Sequence, residues 1–213
     1  MSDTQEQLAQ VRAVRAQSHA QEGDNFQRVA LPQQECDALR DVLVKERARV
    51  VLEVGLAYGN SALAIGEALV LNGAAGISHV LIDPHQQSSF ANAGWQALRA
   101  AGLGPSSRLI SEPSSIALAR LTSEGFATDA AFVDGNHRFH EVFVDLYYLR
   151  KLVRPGGLIV LDDAEWPSVG TALRYFDVNL GWRPKPLPGR LQARRLPAEL
   201  VEPPFADFKP FNA

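Results

Sequence analysis

The chain has 213 residues, 46% of them hydrophobic, a length that supports one sizeable core rather than two. Its 21 basic and 24 acidic side chains give a net charge of −3, so no nucleic-acid partner is expected. The single cysteine, Cys36, excludes an internal disulfide and a cysteine-based zinc site. The polar N-terminus lacks a signal-peptide pattern, and no stretch approaches the about 20 apolar residues of a membrane span. We therefore expect a cytoplasmic protein with no membrane partner.

The N-terminal segment is predicted to be helical. Leu8, Val11 and Val14 recur at helical spacing between polar residues, which indicates a helix over residues 4–20. Its apolar face would pack on the rest of the domain or on a second copy of the chain, so a homodimer is one expectation. A second helix is predicted from Pro32, because proline is tolerated in a first helical turn.

After this helix, short β-branched runs alternate with amphipathic helical stretches. The alternation is typical of parallel strands joined by helices that cover the sheet. Five such units in order predict a Rossmann-like, doubly wound α/β fold with a mainly parallel sheet. The predicted strands are 50–54, 79–82, 108–110, 130–133 and 158–161, and the predicted helices lie around 60–72, 88–101, 114–122, 138–153 and 168–178.

The sequence becomes rich in proline after Gly181. Two short extended segments, 182–187 and 191–196, flank a Pro188-Gly189 turn and predict an antiparallel C-terminal hairpin at the sheet edge. This hairpin would complete a seven-stranded sheet. The predicted organisation is an N-terminal helical extension at 1–32, one main domain at 33–200 and a C-terminal tail at 201–213.

The loop after the first strand has the features of a ligand-binding turn. In an open α/β sheet, ligands bind beyond the carboxyl ends of the strands. Here the strand ends at Glu53 and the chain passes through Gly55 and Gly59 into a helix near Ser61. Glycines let the backbone approach a ligand, and the free N–H groups of the helix start face it. The spacing departs from the dinucleotide fingerprint, which disfavours a nicotinamide cofactor, and the glycines could also serve only a tight turn.

The next two strand ends carry polar residues suited to a nucleoside. Asp83 follows the second strand, where an acid can accept hydrogen bonds from ribose hydroxyls. His85 would line the same pocket or the surface. Ser114, beyond the third strand, could border an adenine ring or cap the helix that follows.

Three carboxylates follow the fourth and fifth strands. Asp134 leaves one strand, and Asp162 and Asp163 leave the other, so all three should converge on one cleft. Carboxylates this close repel each other, and a bound divalent cation would relieve the repulsion. Oxygen ligands favour magnesium or manganese over zinc. Alternatively, Asp134 and Asp163 cap the helices that follow them.

A histidine in the same loop is a candidate general base. His137 lies close to Asp134 in the sequence, and its pKa near neutrality suits it to take a proton from a substrate hydroxyl. His140 is the competing candidate. Alternatively, His137 is an ordinary solvated loop side chain.

Together these residues resemble those of class I S-adenosylmethionine-dependent methyltransferases, especially the metal-dependent O-methyltransferases of the catechol, caffeoyl-coenzyme A and macrocin types. The resemblance covers roughly residues 33–178 and includes the turn at 154–157 before the fifth strand. The chain departs from the catechol type in having Asp163 where asparagine is usual, and its substrate-facing insertions are short, so the substrate is left open. The resemblance implies His137 as the catalytic base, a magnesium site of Asp134, Asp162 and Asp163, and a cofactor site of Glu53, Gly55, Tyr58, Gly59, Ser61, Asp83, Ser114 and Asp134.

The predicted function is metal-assisted transfer of a methyl group to a hydroxyl of a small-molecule acceptor. Such a transfer is an in-line displacement, so the protein must hold the acceptor oxygen near the methyl carbon and make it nucleophilic. One alternative is a metal-independent methyltransferase whose aspartates cap helices and bind the amino group of the cofactor. Another is a non-catalytic module that binds S-adenosylmethionine and uses its terminal segments for partner binding.

Overall fold

The structure is a computed structural model that describes residues 3–21, 23–200, 202–203 and 205–210. Residues 1, 2 and 22 of the predicted extension, and 201, 204 and 211–213 of the predicted tail, lie outside the described residues. The helices are α1 (Asp3–His19), α2 (Asp24–Val29), α3 (Gln33–Lys45), α4 (Asn60–Leu71), α5 (Gln86–Phe90), α6 (Ala93–Ala100), α7 (Ser114–Ser123), α8 (Phe139–Leu152) and α9 (Pro167–Leu180). The strands are β1 (Val51–Val54), β2 (His79–Ile82), β3 (Ser107–Ile110), β4 (Thr128–Val133), β5 (Val153–Leu161), β6 (Arg183–Pro186) and β7 (Gln192–Arg195).

The strands form one seven-stranded sheet in the order β3-β2-β1-β4-β5-β7-β6. Strands β1 to β5 run parallel, β7 pairs antiparallel with β5, and β6 pairs antiparallel with β7. This confirms the predicted Rossmann-like sheet with its antiparallel C-terminal hairpin. The register aligns Ile82, Val54, Val133 and Leu161 across four neighbouring strands, so the loops that follow them open at one edge. The strand order changes direction at β1 and β4, where ligands bind in such sheets.

Helices cover both faces of the sheet, and this explains the apolar inner strands. β1 and β2 are buried at every position, as expected when both faces are covered. Successive residues serve the two layers, since Leu52 packs with α7, α8 and α9, whereas Val51 packs with α3 and α4. Within the described part of the chain, no helix combines the length and apolar character that a membrane crossing requires.

The predicted helix over residues 88–101 is in fact two helices, α5 and α6. Ala91 and Asn92 between them have φ angles of 47° and 59°, and this left-handed conformation ends the first helix. Neither residue is a glycine or proline, so the sequence carries no strong signal for the break. The break positions Gly94, at the start of α6, against the loop that follows β1.

Helix α1 packs on the rest of the same chain. Arg15 is only 7% exposed and forms an ion pair with Glu67 of α4. A buried charge needs such a partner, because an unpaired one would be strongly destabilising. Ser18 donates a hydrogen bond to Oδ1 of Asn60 at 2.5 Å, so the end of α1 reaches the first residue of α4.

Candidate active site

The loop between β1 and α4 reverses the chain through left-handed backbone. Gly55, Ala57 and Gly59 have φ angles of 94°, 44° and 88°. A Cβ on Gly55 would lie 2.0 Å from the carbonyl oxygen of Asp134, and one on Gly59 would lie 3.0 Å from Cα of Gly94. Both glycines therefore allow backbone to pack directly on backbone. The same packing brings the loop against the end of β4, where the carboxylate cluster begins.

Glu53 and Ser61, two predicted cofactor residues, contact each other. Glu53 is completely buried, and the Ser61 hydroxyl donates a hydrogen bond to its Oε1 at 2.5 Å. The other carboxylate oxygen, Oε2, lies 2.8 Å from Nε2 of His79 at the start of β2. Both oxygens of Glu53 thus face groups of the chain, and its role toward a cofactor stays a prediction.

Asp83 fixes the shape of the same loop. It is 4% exposed, and its Oδ2 accepts hydrogen bonds from the N–H groups of Leu56 at 3.2 Å and Ala57 at 3.0 Å. Oδ2 also accepts one from Nε2 of Gln86 at 2.8 Å, while Oδ1 accepts one from the N–H of His85 at 2.7 Å. A carboxylate offers about four acceptor positions, two on each oxygen. Oδ1 therefore keeps capacity for one further hydrogen bond, such as one from a ribose hydroxyl.

Tyr58 belongs to an aromatic cluster above the loop. Its ring centroid lies 5.1 Å from that of Phe26 in α2 and 5.3 Å from that of Phe90 in α5. Nδ2 of Asn25 donates a hydrogen bond to the Tyr58 hydroxyl at 2.7 Å. Tyr58 thereby connects the glycine loop to α2, a contact that the sequence pattern did not indicate.

The space above the glycine loop is a narrow slot. Residues 29–31 form one wall, and residues 55–61 with Asp134 form the other. The slot has a volume of about 10 Å³, and holding even a single water takes about 10 to 15 Å³. A nucleoside is far larger than this slot.

Ser114, predicted to border an adenine ring, contacts a buried acid instead. Asp145 of α8 is 1% exposed, and its carboxylate oxygens have no hydrogen-bond partner of normal geometry among the described residues. Burial raises the pKa of Asp145 to about 7, although the Ser114 hydroxyl opposes this shift and the charge of Glu141 adds to it. Ser114 is therefore turned toward α8, and its role toward a cofactor stays a prediction.

The substitution Asp145→Asn is expected to make the protein more stable at alkaline pH. The pKa of Asp145 is about 7 in the folded chain against an ordinary value of 3.8, so folding loses stability as pH rises through this interval. Asparagine removes that loss, and its stability advantage should grow by about 3 kcal/mol between about pH 5 and about pH 8. Urea unfolding of both proteins at the two pH values measures it. An advantage that is equal at both pH values would contradict the burial of an acid at this position.

Two carboxylates and one imidazole meet where β4 and β5 end. Nε2 of His137 lies 3.1 Å from Oδ2 of Asp163 and 3.7 Å from Oδ1 of Asp134. Each of the three residues offers one potential metal-ligand atom, and these three atoms all lie within 4.8 Å of one another. Asp163 adopts a left-handed φ of 49°, and the exposed ring of Trp166 lies 5.0 Å from the His137 ring. The structure therefore brings together three of the predicted site residues and adds Trp166 as a wall.

The charges in this cluster shift each other's pKa values. Burial raises the pKa of Asp134 to about 6, and His137 partly opposes this rise while Asp162 adds to it. The nearby carboxylate of Asp134 raises the pKa of His137 against the effect of burial, with smaller contributions from Asp163 and Asp162. Burial and the charge of Asp162 raise the pKa of Asp163. Perturbed groups gathered in one cleft are typical of functional sites.

Asp162, the third predicted metal ligand, is paired with an arginine. It is 3% exposed, and Nε and Nη2 of Arg190 donate hydrogen bonds to its two oxygens at 2.8 and 2.7 Å. The sequence analysis did not predict a role for Arg190, although the predicted hairpin indicates its position. Because β7 pairs with β5 so that Gln192 faces Leu161, the residues preceding β7 must lie near the end of β5.

The other two candidate histidines lie away from this cluster. The side chain of His140 is 72% exposed, and its Nε2 lies 3.6 Å from Glu141. His85 is exposed and contributes its backbone N–H to Asp83. Among the candidates, His137 is the one that the fold places beside the carboxylates.

The sheet order, the glycine loop after β1 and the acids that follow β4 and β5 together define a class I methyltransferase fold. A family model described as a methyltransferase domain matches residues 52–164. The match spans more than half of the chain, and the protein belongs to this methyltransferase family. The class indicated by the sequence is thereby confirmed, whereas no curated protein matches the sequence.

Solved structures with the same fold span nearly the whole chain. Cofactor-bound Rv0187 from MTB has a TM-score of 0.66 at 19% identity, covering 91% of this chain and 90% of that one. An O-methyltransferase from Bacillus cereus in complex with SAH has a TM-score of 0.65 at 16% identity, with coverages of 89% and 90%. The O-methyltransferase TomG from Streptomyces achromogenes, in complex with SAM, has a TM-score of 0.60 at 20% identity, with coverages of 90% and 90%. At these identities the similarity establishes the fold alone.

Proposed function

We propose that this methyltransferase transfers a methyl group from S-adenosylmethionine to a hydroxyl of a small-molecule acceptor, with a divalent cation assisting. The observation that carries the proposal is the position of His137, whose Nε2 faces Asp134 and Asp163 at the end of β4 and β5. The Gly55 loop packs directly on the backbone of Asp134. A cofactor held at this loop would therefore present its reactive end beside a group that can accept a proton.

Features of the glycine loop support S-adenosylmethionine as the cofactor. Oδ1 of Asp83 keeps an acceptor position, and the unpaired N–H groups at the start of α4 suit the carboxylate of a methionine moiety. Two solved structures of similar fold are named as complexes with SAM or SAH. In this proposal Gly55, Gly59 and Ser61 border the cofactor, and Tyr58 covers it when α2 closes.

The donor set at the cluster fits a hard divalent cation. Asp134 and Asp163 offer carboxylate oxygens, and Nε2 of His137 makes no hydrogen bond of normal geometry within the described residues. Asp134 and Asp163 would hold magnesium or manganese, and Asp162 would join them once Arg190 releases it. When bound, such a cation supplies Lewis-acid activation of an acceptor hydroxyl.

The chain itself supplies the base and its orientation. His137 accepts the proton of the acceptor hydroxyl, because its Nε2 lies beside the two carboxylates and makes no hydrogen bond of normal geometry within the described residues. The carboxylates of Asp134 and Asp163 stabilise the imidazolium that results. Trp166, whose side chain is 48% exposed, forms a flat wall that suits a planar or ring-shaped acceptor.

Titration with S-adenosylhomocysteine and manganese tests the cofactor and the metal separately. We expect calorimetry to detect S-adenosylhomocysteine binding, and electron paramagnetic resonance to detect one bound Mn²⁺. Asp163→Asn should weaken Mn²⁺ binding at least tenfold, which corresponds to about 1.4 kcal/mol, because it removes one anionic ligand. Asp41→Asn, at an exposed position on α3, is the matched control and should bind Mn²⁺ like the original protein.

Failure of each arm has a different meaning. If no S-adenosylhomocysteine binds, the proposed cofactor is wrong. If S-adenosylhomocysteine binds but Mn²⁺ does not, the metal-independent alternative is favoured. The Arg190–Asp162 pair would then explain the result, because its guanidinium already neutralises one carboxylate of the cluster.

The cytoplasmic location and the homodimer expected from the sequence stay predictions.

A further inference from the structure

The turn between β6 and β7 places a guanidinium inside the carboxylate cluster. Arg190 in this turn donates two hydrogen bonds to Asp162, from Nε at 2.8 Å and from Nη2 at 2.7 Å. Each oxygen of the carboxylate accepts one of them, so the pair is bidentate, which is a strong arrangement for these two groups. The cluster therefore already contains a cation that belongs to the chain itself.

Asp162 needs a cationic partner at all times. Its side chain is only 2% exposed, and it follows β5, an inner strand of the sheet. A carboxylate buried this deeply strongly destabilises a protein when its cation is removed. Asp162 can therefore give up Arg190 only to another cation. Because Asp134 and Asp163 lie in the same cluster, that cation would be the divalent ion of the proposed function.

Arg190 is the member of the pair that has room to move. Its side chain is 40% exposed, twenty times the exposed fraction of Asp162. Beside it lies an open groove of about 540 Å³, lined by residues 184–187, residues 189–192 and Glu165. The guanidinium can turn into this groove while Asp162 stays at the end of its strand.

Glu165 offers the guanidinium a second partner. It is exposed, it lies two residues after Asp163, and it lines the same groove as Arg190. An exposed ion pair contributes little to stability, so Glu165 would compensate only in part for the loss of Asp162. Without a divalent cation, the guanidinium is therefore expected on Asp162, which is where the structure has it.

We propose that Arg190 exchanges partners, leaving Asp162 for Glu165 when a divalent cation binds at Asp134, Asp162 and Asp163. The charge of Asp162 is then balanced in both states. This inference rests on the proposed function, because it needs the cation site. It makes Arg190 a competitor of the cation and Glu165 an aid to it, although neither residue is a ligand.

Titration of the full chain with Mn²⁺, followed by electron paramagnetic resonance, tests the exchange. Arg190→Gln should tighten Mn²⁺ binding at least tenfold, which corresponds to about 1.4 kcal/mol, because it removes the competitor. Lys185→Gln is the matched control, since Lys185 is another cation of the same groove but donates to Oε1 of Glu46 at 2.5 Å. It should bind Mn²⁺ with the same affinity as the original protein.

Glu165→Gln should have the opposite effect and weaken Mn²⁺ binding about two- to fivefold, as expected for loss of one exposed ion pair. Its matched control is Glu35→Gln, because the Glu35 carboxylate lies against Gly189 of the same turn but does not line the groove. In the Arg190→Gln background, Glu165→Gln should have no effect, since no guanidinium remains for it to receive. Additive effects of the two substitutions would mean that both charges act independently on the cation, and would overturn the exchange.

Thermal melting keeps the test decisive if Arg190→Gln folds poorly. Asp162 lacks its guanidinium in this variant, so Mn²⁺ should raise the melting temperature by more than it does in the original protein. An equal or smaller rise overturns the exchange, as does equal Mn²⁺ affinity in the two proteins, while the cation of the proposed function stands. If Mn²⁺ binds neither protein, that cation is wrong, and the exchange is wrong with it.

Discussion

Replacement of His137 by alanine is expected to lower methyl transfer by about 10² to 10⁴, the range for loss of a positioned general base. Among the described residues, the His137 imidazole is the group that lies beside both Asp134 and Asp163, so we expect no neighbouring side chain to take over its proton transfer. Affinity for S-adenosylhomocysteine should stay nearly the same, because in the proposed site the glycine loop and Asp83 hold the cofactor. Turnover with labelled S-adenosylmethionine over a panel of phenols and vicinal diols, together with calorimetry, measures both quantities.

His140→Ala is the matched control for this experiment. His140 lies three residues after His137, but its side chain is 72% exposed, and its Nε2 lies 3.6 Å from Oε1 of Glu141. Its removal should change turnover less than twofold, well under the about 1.4 kcal/mol of a tenfold effect. Equal losses in the two variants, or full activity in His137→Ala, would remove His137 from the role of base.

Gly55→Ala is expected to destabilise the fold by about 4 kcal/mol or more, among the largest effects of single substitutions. The added Cβ would lie 2.0 Å from the carbonyl oxygen of Asp134 and 2.6 Å from its carbonyl carbon. Both contacts are with backbone, which cannot rotate aside as a side chain would. The ends of β1 and β4 would have to separate, and the carboxylate cluster would move with β4. Urea unfolding of the variant measures the loss.

Gly125→Ala is the matched control, because it shows how much stability is lost from the left-handed backbone conformation alone, without a clash. Gly125 also has a left-handed φ, at 70°, but a Cβ there would meet no atom within 4 Å. Its substitution should cost only about 1 to 2 kcal/mol, the penalty of a left-handed residue that carries a Cβ. If Gly55→Ala costs no more than Gly125→Ala, the direct packing of the glycine loop on β4 is wrong.

The positions of the strands were predictable because each signal is local. The run at 79–82 coincides with β2, and the segments around Pro188-Gly189 form the hairpin of β6 and β7. Apolar β-branched runs between turn residues indicate buried parallel strands whatever the rest of the chain does. Because the predicted strands are parallel, the loops that follow them must lie at the same edge of the sheet. Asp134, His137 and Asp163 lie together at that edge.

The directions of the polar side chains were decided only by the tertiary structure. Asp162 turns to Arg190, which lies far along the chain in the hairpin, and Ser114 turns to Asp145 on the neighbouring helix α8. The two carboxylate oxygens of Glu53 contact the Ser61 hydroxyl and Nε2 of His79 instead of the slot. A buried charge or hydroxyl must find a partner wherever the fold supplies one, and such partners are distant in sequence. The sequence by itself therefore determined which strand ends carry chemistry, whereas packing between distant segments determined which of those groups remain available for it.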